Sequence, residues 1–474
     1  MLRSTLPSVL FGVVLATSAP CAADVLVVAP SGAPYTEIQA AIDVAQDGDV
    51  VLVKAGTYAS FVIRNRELAV VADAGAVVNV DGAIRVSGLT VTRSVLLSGL
   101  RATGTATSNP QSRHGLFARN CSGSLRVVGC TLTGVPLSVG VTFLGFQGNY
   151  GFVLPACYEG QGAQIEGCAD VAFVASALRG SDATPTTGYL GYGTRPNAGE
   201  ADGGHGLLAT ASQIALLDGA LNGGRPGLYQ YSGTSTPCEP PPFAEPGGYI
   251  GAAGEGCRAD GAFVFASACT FTGAPGWGPT CLAQCWCERP SDGANALAVT
   301  AAATAAQLLG CTLAPGLGGL PNGSPCPCGI GGNFCNPNSL PGTNGLATVG
   351  PVNVLAGAAR GLSGTPVARE GQLVTLTFAG QPGDRVELLQ SDRTGFQFHP
   401  AARGVLLLRR TRPMLVQQVG TIGAGGTLTQ TFMVGELGSG IESRIVHLQA
   451  AMIDGTNQTT LSSPAAVVLL DSAF

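Results

Sequence analysis

The chain has 474 residues, long enough for two to four domains, and a formal net charge of −5. Charged residues make up 11% of it, less than half the usual share, and only one of its 24 basic residues, Lys54, is a lysine. That balance excludes a nucleic-acid binder, which needs a basic stripe. Glycine (70) and proline (30) argue against long helices, while 45% hydrophobic residues argue against disorder, leaving a turn-rich β protein.

Arg3 precedes an apolar run from Leu6 to Ala16, then Thr17, Ser18 and the small residues Cys21, Ala22 and Ala23. This is the layout of a secretory signal over residues 1–23, with cleavage after Ala23. The run is too short for a membrane span, and Pro20 disfavours lipid attachment at Cys21. Fourteen of the 15 cysteines follow, and an even count in an exported chain points to disulfides rather than thiols or a metal site. The Cys281/Cys285/Cys287 and Cys326/Cys328 spacings do not match paired zinc ligands, and no histidine is near them.

From Tyr35 the spacing of Ile38, Ala41, Ile42 and Ala45 predicts a short amphipathic helix, with Thr36 and Gln39 at capping-box spacing and Gly48 as its stop. A strand run follows at 49–58. Short β segments then succeed one another at 61–63, 68–72, 77–80, 83–86 and 95–97, punctuated by Asp73, Gly75, Asp81, Gly82, Gly88 and Gly99. The run YTEIQAAIDVAQDGDVVLVKAGTY resembles the N-terminal cap and first coil of right-handed parallel β-helix proteins of the pectin-lyase-like type. The resemblance implies an all-β solenoid whose end an amphipathic helix would cover, and it carries no catalytic group.

Five similar segments of 20–24 residues then recur at 114–134, 161–180, 205–224, 254–273 and 293–316. Each reads as two apolar strands followed by small–x–Leu/Phe–x–Gly, about one coil of the solenoid. The Ala-rich stretch 294–309 has helical propensity, but its alignment with four sister segments predicts two strands. Between them lie insertions rich in Gly, Pro, Tyr and Cys at 135–160, 181–204, 225–253, 274–292 and 317–345. They leave the repeat at one equivalent point, so all should project from one edge, where repeat proteins build binding faces.

Cys121 and Cys168 stand nine residues before Cys130 and Ala177, read as matched positions, and Cys269 and Cys311 match in consecutive repeats. Stacked coils bring such residues within disulfide reach, so either these pairs bond or, since parallel Cβ directions make a bond awkward, they form a ladder of small buried side chains. Cys157, Cys238, Cys281, Cys285, Cys287, Cys326, Cys328 and Cys335 fall in the insertions, where bridges would staple loops without a core. No cysteine follows Cys335, and the texture changes near 349. Seven alternating runs from Leu373 to Leu470 predict a C-terminal antiparallel β-sandwich over 349–474 beside a solenoid over 24–348.

His114 and His205 occupy equivalent positions, and Gly204-His205-Gly206 resembles the Gly-His-Gly motif of polygalacturonases. The other polygalacturonase motifs are missing, so the paired carboxylates of inverting hydrolysis are not evident. His205, Asp202 and Arg225 are the weak catalytic candidates, with Arg179, Arg195, Arg289, Asp182 and Asp292 as scattered loop charges. A lyase would need a base and a cation, Ca²⁺ or arginine, and no carboxylate cluster or other cofactor site is visible. Seven of nine tyrosines lie between Tyr150 and Tyr249, and both tryptophans lie in the fourth insertion. Tyr189, Tyr192, Tyr229, Tyr231, Trp277 and Trp286 could stack on sugar faces or simply pack the insertions. The expectation is an exported, monomeric, non-catalytic β-helix that binds polysaccharide or a cell-surface component. A polysaccharide lyase or glycoside hydrolase, or a structural surface component, are the alternatives.

Overall fold

The computed structural model describes residues 23–107, 109–136, 159–183, 186–188, 202–227, 229–231, 251–278, 290–301, 305–320, 341–409 and 414–474. Residues 1–22, which include nearly all of the expected signal, and all eight insertion cysteines lie outside these.

Ten strands, from Val25–Val28 to Val352–Leu355, form one parallel sheet in which each coil adds one strand. A second parallel sheet has two arms that meet at the long strand Val78–Ser87. Val78–Asp81 starts one arm by pairing with Leu100–Thr103, and Ile84–Ser87 starts the other by pairing with Leu116–Arg119. Each coil therefore has three strands on three sides of a solenoid, one more than the two-strand reading of the repeat. The segment small–x–Leu/Phe–x–Gly is the third strand, as at Thr131–Thr133 and Thr270–Thr272. The Ala-rich stretch forms two strands, Leu297–Thr300 and Ala306–Leu309, because coil neighbours on both sides satisfy their backbone groups.

Two of the three corners turn on a single left-handed residue. The first uses Asn65, Gly88, Asn120, Gly167, Ala211, Gly261 and Ala301; the second uses Gly99, Gly129, Ala175, Asp218, Ala268 and Gly310. That geometry is free for glycine, tolerable for Asn or Asp and strained for alanine. The earliest coils carry Arg66, Leu89 and Leu100 directly after these corners, and from Asn120 and Gly129 onward that residue is small. Cys121, Cys168, Ser212 and Ala262 follow the first corner; Cys130, Ser176, Gly219, Cys269 and Cys311 follow the second. Cys130 thus stacks on Ser176, whose Oγ accepts its N–H at 3.2 Å, and Ala177 pairs with Thr131 instead.

Cys121, Cys168, Cys269 and Cys311 are free thiols, so the bridges expected among them do not form. Each sulfur instead hydrogen-bonds the carbonyl two residues earlier, as Cys121 Sγ does to Arg119 O at 3.4 Å and Cys311 Sγ to Leu309 O at 3.7 Å. In-register stacking points the Cβ–S bonds the same way, which suits a ladder and not a bridge.

The α-helix Ile38–Val44 buries Ile38, Ala41 and Ile42 against the first coil and ends at Ala45. The capping box does not form: Glu37 is the N-cap, and Gln39 Oε1 instead accepts Val62 N–H at 2.7 Å. No helix among the described residues is long and apolar enough to cross a membrane.

The first sheet is apolar on both faces, which is why runs such as Val50–Val53 and Leu68–Ala72 are buried throughout. Its outer face packs on C-terminal residues: Val50, Leu52 and Val71 against Val367 and Val468, and Leu217 and Phe265 against Val405 and Leu407. Arg369–Asp73 (2.8 Å) and Arg393–Glu67 (2.7 Å) ion pairs flank this contact. The C-terminal region has a three-stranded and a five-stranded sheet that share one apolar core, including Val374, Phe378, Val386, Leu448 and Val467. Strands Gly361–Gly364, Val367–Arg369 and Thr394–His399 are additional to the seven runs expected.

Replacing the strained alanines Ala175, Ala211 and Ala268 by glycine is expected to stabilise the fold by roughly 0.5–1 kcal/mol each, read as a rise in Tm. A fall in Tm for all three would contradict the corner geometry.

Candidate functional site on the insertion edge

The third corner differs from the other two. In early coils the chain bends through it without interruption, inside Gly56–Arg64 and Val78–Ser87. It first opens at 104–115, an excursion the sequence reading did not separate from the repeat, and then at all five long insertions. The insertions leave after Thr131–Thr133, Ala177–Arg179, Ala220–Asn222, Thr270–Thr272 and Thr312–Ala314. They return before Ala163–Glu166, Leu207–Thr210, Cys257–Asp260, Leu297–Thr300 and Thr348–Val349.

Their outgoing and returning stems form a stack of their own. Ser181 N–H donates to Gly160 O, Gly204 to Ser181, Gly224 to Gly204 and Gly254 to Gly224, at 2.7–2.9 Å. The series continues through Ala274 to Gly254, Ala294 to Ala274, Gly316 to Ala294 and Gly345 to Gly316. Outgoing and returning segments alternate, so one line of backbone bonds joins nine of the ten stems, while Val135 on the first outgoing stem donates to Arg113 O instead. At its glycine positions the spacing is too close for a side chain: a Cβ on Gly180 would lie 1.8 Å from Gly204 O, and one on Gly224 would lie 1.8 Å from Ser181 O. Glycine is required here for the same reason as at the crowded axis of a collagen helix.

Gly204-His205-Gly206 is one row of this architecture. The pattern Gly-x-Gly recurs at 160–162 and 254–256, with Gln161 and Glu255 in the place of His205. A Cβ on Gly204 would lie 2.0 Å from Gly160 O, and one on Gly206 would lie 2.5 Å from Gly256 O. The central residues form a polar ladder. His114 Nδ1 accepts Gln161 N–H at 3.0 Å, the Gln161 side-chain oxygen accepts His205 N–H, and His205 Nδ1 accepts Glu255 N–H at 3.0 Å. Asn295 Nδ2 donates to Glu255 Oε1 at 2.8 Å, and Asn295 Oδ1 accepts Leu346 N–H at 2.9 Å.

The loop carboxylates are used in the same way. Asp182 Oδ1 accepts Arg225 N–H at 2.8 Å, Asp202 Oδ1 accepts Ala252 N–H at 2.5 Å, and Asp292 Oδ1 accepts Thr343 N–H at 2.7 Å. Arg179 pairs with Asp182 at 2.7 Å, and Arg225 is exposed. The structure therefore places His205, Asp202 and Arg225 on one edge but holds the first two as backbone acceptors. Trp277 is half-buried in an outgoing stem, its N–H donating to Ser291 Oγ at 2.7 Å. Tyr229 and Tyr231 lie on the strand Tyr229–Tyr231, which pairs in parallel with Thr186–Gly188 of the preceding insertion. Tyr189, Tyr192, Trp286, Arg195 and Arg289 lie outside the described residues.

One residue that the sequence reading missed is Glu159, on the first returning stem. Burial, then the charge of Asp202, pushes its carboxyl up to about 7, and burial also raises Asp202. Its signal was the Glu-Gly-x-Gly context at the foot of an insertion. Burial, followed by the nearby Arg113 or Arg258, lowers His114 and His205 to about 4, so both are neutral acceptors. Among the described residues no three His, Cys, Asp or Glu side chains converge as metal ligands, so these donors do not fit the Ca²⁺ that a lyase would use.

The strand register defines an all-β chain with a parallel β-helix solenoid. No protein-family profile and no curated protein matches the sequence. Among solved structures it is similar to the one titled "Crystal structure of pectate lyase Pel9A", with 11% identity and a TM-score of 0.31, over 61% of this chain and 68% of that one.

The two kinds of buried titrating group act in opposite directions. Histidines lowered from 6.5 to about 4 stay neutral in the fold while the unfolded chain takes up protons, so stability falls as pH drops from about 6.5 to 4. Glu159, raised from 4.5 to about 7, costs stability as pH rises through that interval. Glu159→Gln is expected to raise stability near pH 8 by on the order of 1–2 kcal/mol and to change nothing near pH 4, read by thermal unfolding. Equal effects at both pH values would place that carboxyl in water.

Proposed function

We propose that this is an exported β-helix protein, secreted or held at the cell surface, whose insertion edge recognises polysaccharide or another surface component without turning it over. The observation that carries this reading is the stem stack. It spends glycine and backbone hydrogen bonds on holding the stems of five aromatic-containing excursions, four of which also carry cysteine, side by side along one edge. The absence of turnover is supported by how the candidate groups are used. His205 Nδ1 and the Asp182, Asp202 and Asp292 carboxylates are each engaged on backbone N–H groups, so they brace the stems. The low charge and single lysine are consistent with a partner bound through flat apolar rings and hydrogen bonds.

A second reading, a glycoside hydrolase or polysaccharide lyase acting on an acidic polysaccharide, draws on one specific observation. Glu159 beside Asp202 carries a carboxyl that stays protonated near neutral pH, as a general acid must.

Passing the purified full-length protein over immobilised uronate and neutral polysaccharides tests both readings. Retention on at least one glycan, with no new reducing or unsaturated ends, is expected. Turnover that disappears in Glu159→Gln would replace this proposal with the enzymatic one, and indifference to every glycan would leave a structural surface component.

A further inference from the structure

The last coil of the solenoid ends differently from the first. At the N-terminal end the helix Ile38–Val44 packs on the first coil. At the other end the strands Thr312–Ala314, Thr348–Val349 and Val352–Leu355 each pair on one side only among the described residues, and they form the three edges of an open coil. Val354 stacks on Leu308, which is buried, yet Val354 is 77% exposed. Leu317 and Leu346, on the last stems, are 67% and 59% exposed. The C-terminal sheets do not cover this end, because their contacts run along the flank of the first sheet.

Natural sheets protect such edges with charges, above all lysine. Here the sequence does the opposite: no Asp, Glu, Lys, Arg or His occurs between Asp292 and Arg360. That charge-free stretch spans the final coil and its stems.

We propose that this end is a contact surface for a second copy of the same chain, giving a tail-to-tail two-fold dimer. A single extended peptide could satisfy only one of three edges, so the partner must itself end in a three-sided coil. The N-terminal end of another copy is occupied by its helix, which blocks head-to-tail stacking and the open filaments it would produce. The same C-terminal end remains. A two-fold axis through the Val352–Leu355 edge sets that strand antiparallel to its copy with the two Val354 residues meeting, and sets Thr312–Ala314 of each chain against Thr348–Val349 of the other. An uncharged surface meets its own copy with no like-charge repulsion. This inference is independent of what the insertion edge binds.

The test measures the mass of the full-length protein in solution by light scattering over a dilution series. It compares the native chain with Val354→Asp and Asn353→Lys, both at exposed positions of the last strand, and with Thr312→Lys on a different edge. The native chain is expected to be a dimer. Each variant should be monomeric or at least roughly tenfold weaker in association, because Val354→Asp and Asn353→Lys bring two like charges together at the axis and Thr312→Lys buries an unpaired charge against the partner's uncharged edge. Unchanged Tm and circular dichroism in Asn353→Lys or Thr312→Lys would show that the loss is not misfolding. A native chain that stays monomeric at every concentration, one that forms filaments, or charged variants that dimerise as well as the native chain would each overturn the proposal.

Discussion

Everything in this molecule depends on coils that repeat their backbone hydrogen bonds in register. Once the strands of one coil sit on those of the next, each sequence position becomes a column, and the demands of that column fix which residues it accepts. Two corner columns require a left-handed residue, and from Cys121 and Cys130 onward the columns after them carry a small one. The third corner has no such requirement, because the chain may leave there and return. Register thus determines where variation is permitted, and the insertions occupy the one place it is.

The stems extend the same constraint outward. Backbone groups leaving a sheet need partners, and here they find them in alternating outgoing and returning segments with glycines at the contacts. Side-chain acceptors at Asp182, Asp202, His205, Asp292 and Asn295 take up further N–H groups. A histidine flanked by glycines and three aspartates on loops would suggest chemistry if met singly. As members of columns they are acceptors whose partners are set by the coil above.

Much of this was legible in the sequence. The repeats at 38–50 residue intervals, the common exit point of the insertions and the strand nature of the Ala-rich fifth unit all follow from aligning segments, since a stacked neighbour overrides local helix propensity. Other features were not. Glycine at a corner and glycine in a stem look alike in sequence, although one serves a positive φ and the other a close backbone approach. Cys121 and Cys168 are equally compatible with a bridge or a ladder until the Cβ directions are known. Glu159 became visible only once its carboxyl was seen to be buried beside Asp202. The doubly apolar strands of the first sheet did carry a signal that was not used. Val50–Val53 and Leu68–Ala72 lack the alternation of a one-sided sheet, which implies a partner on the outer face, and the C-terminal sheets are that partner.

Hydrogen exchange at the stem amides tests the central claim most directly. Ser181, Gly204, Gly224, Gly254 and Gly316 lie outside the solenoid's strands, yet each donates to a neighbouring stem. Exchange as slow as that of strand amides such as Val171 or Ile214 is expected if the stack is part of the folded unit. Exchange at the rate of an unprotected peptide at these five positions would mean that the stems are not held in register, and the account of an aligned insertion edge would fail.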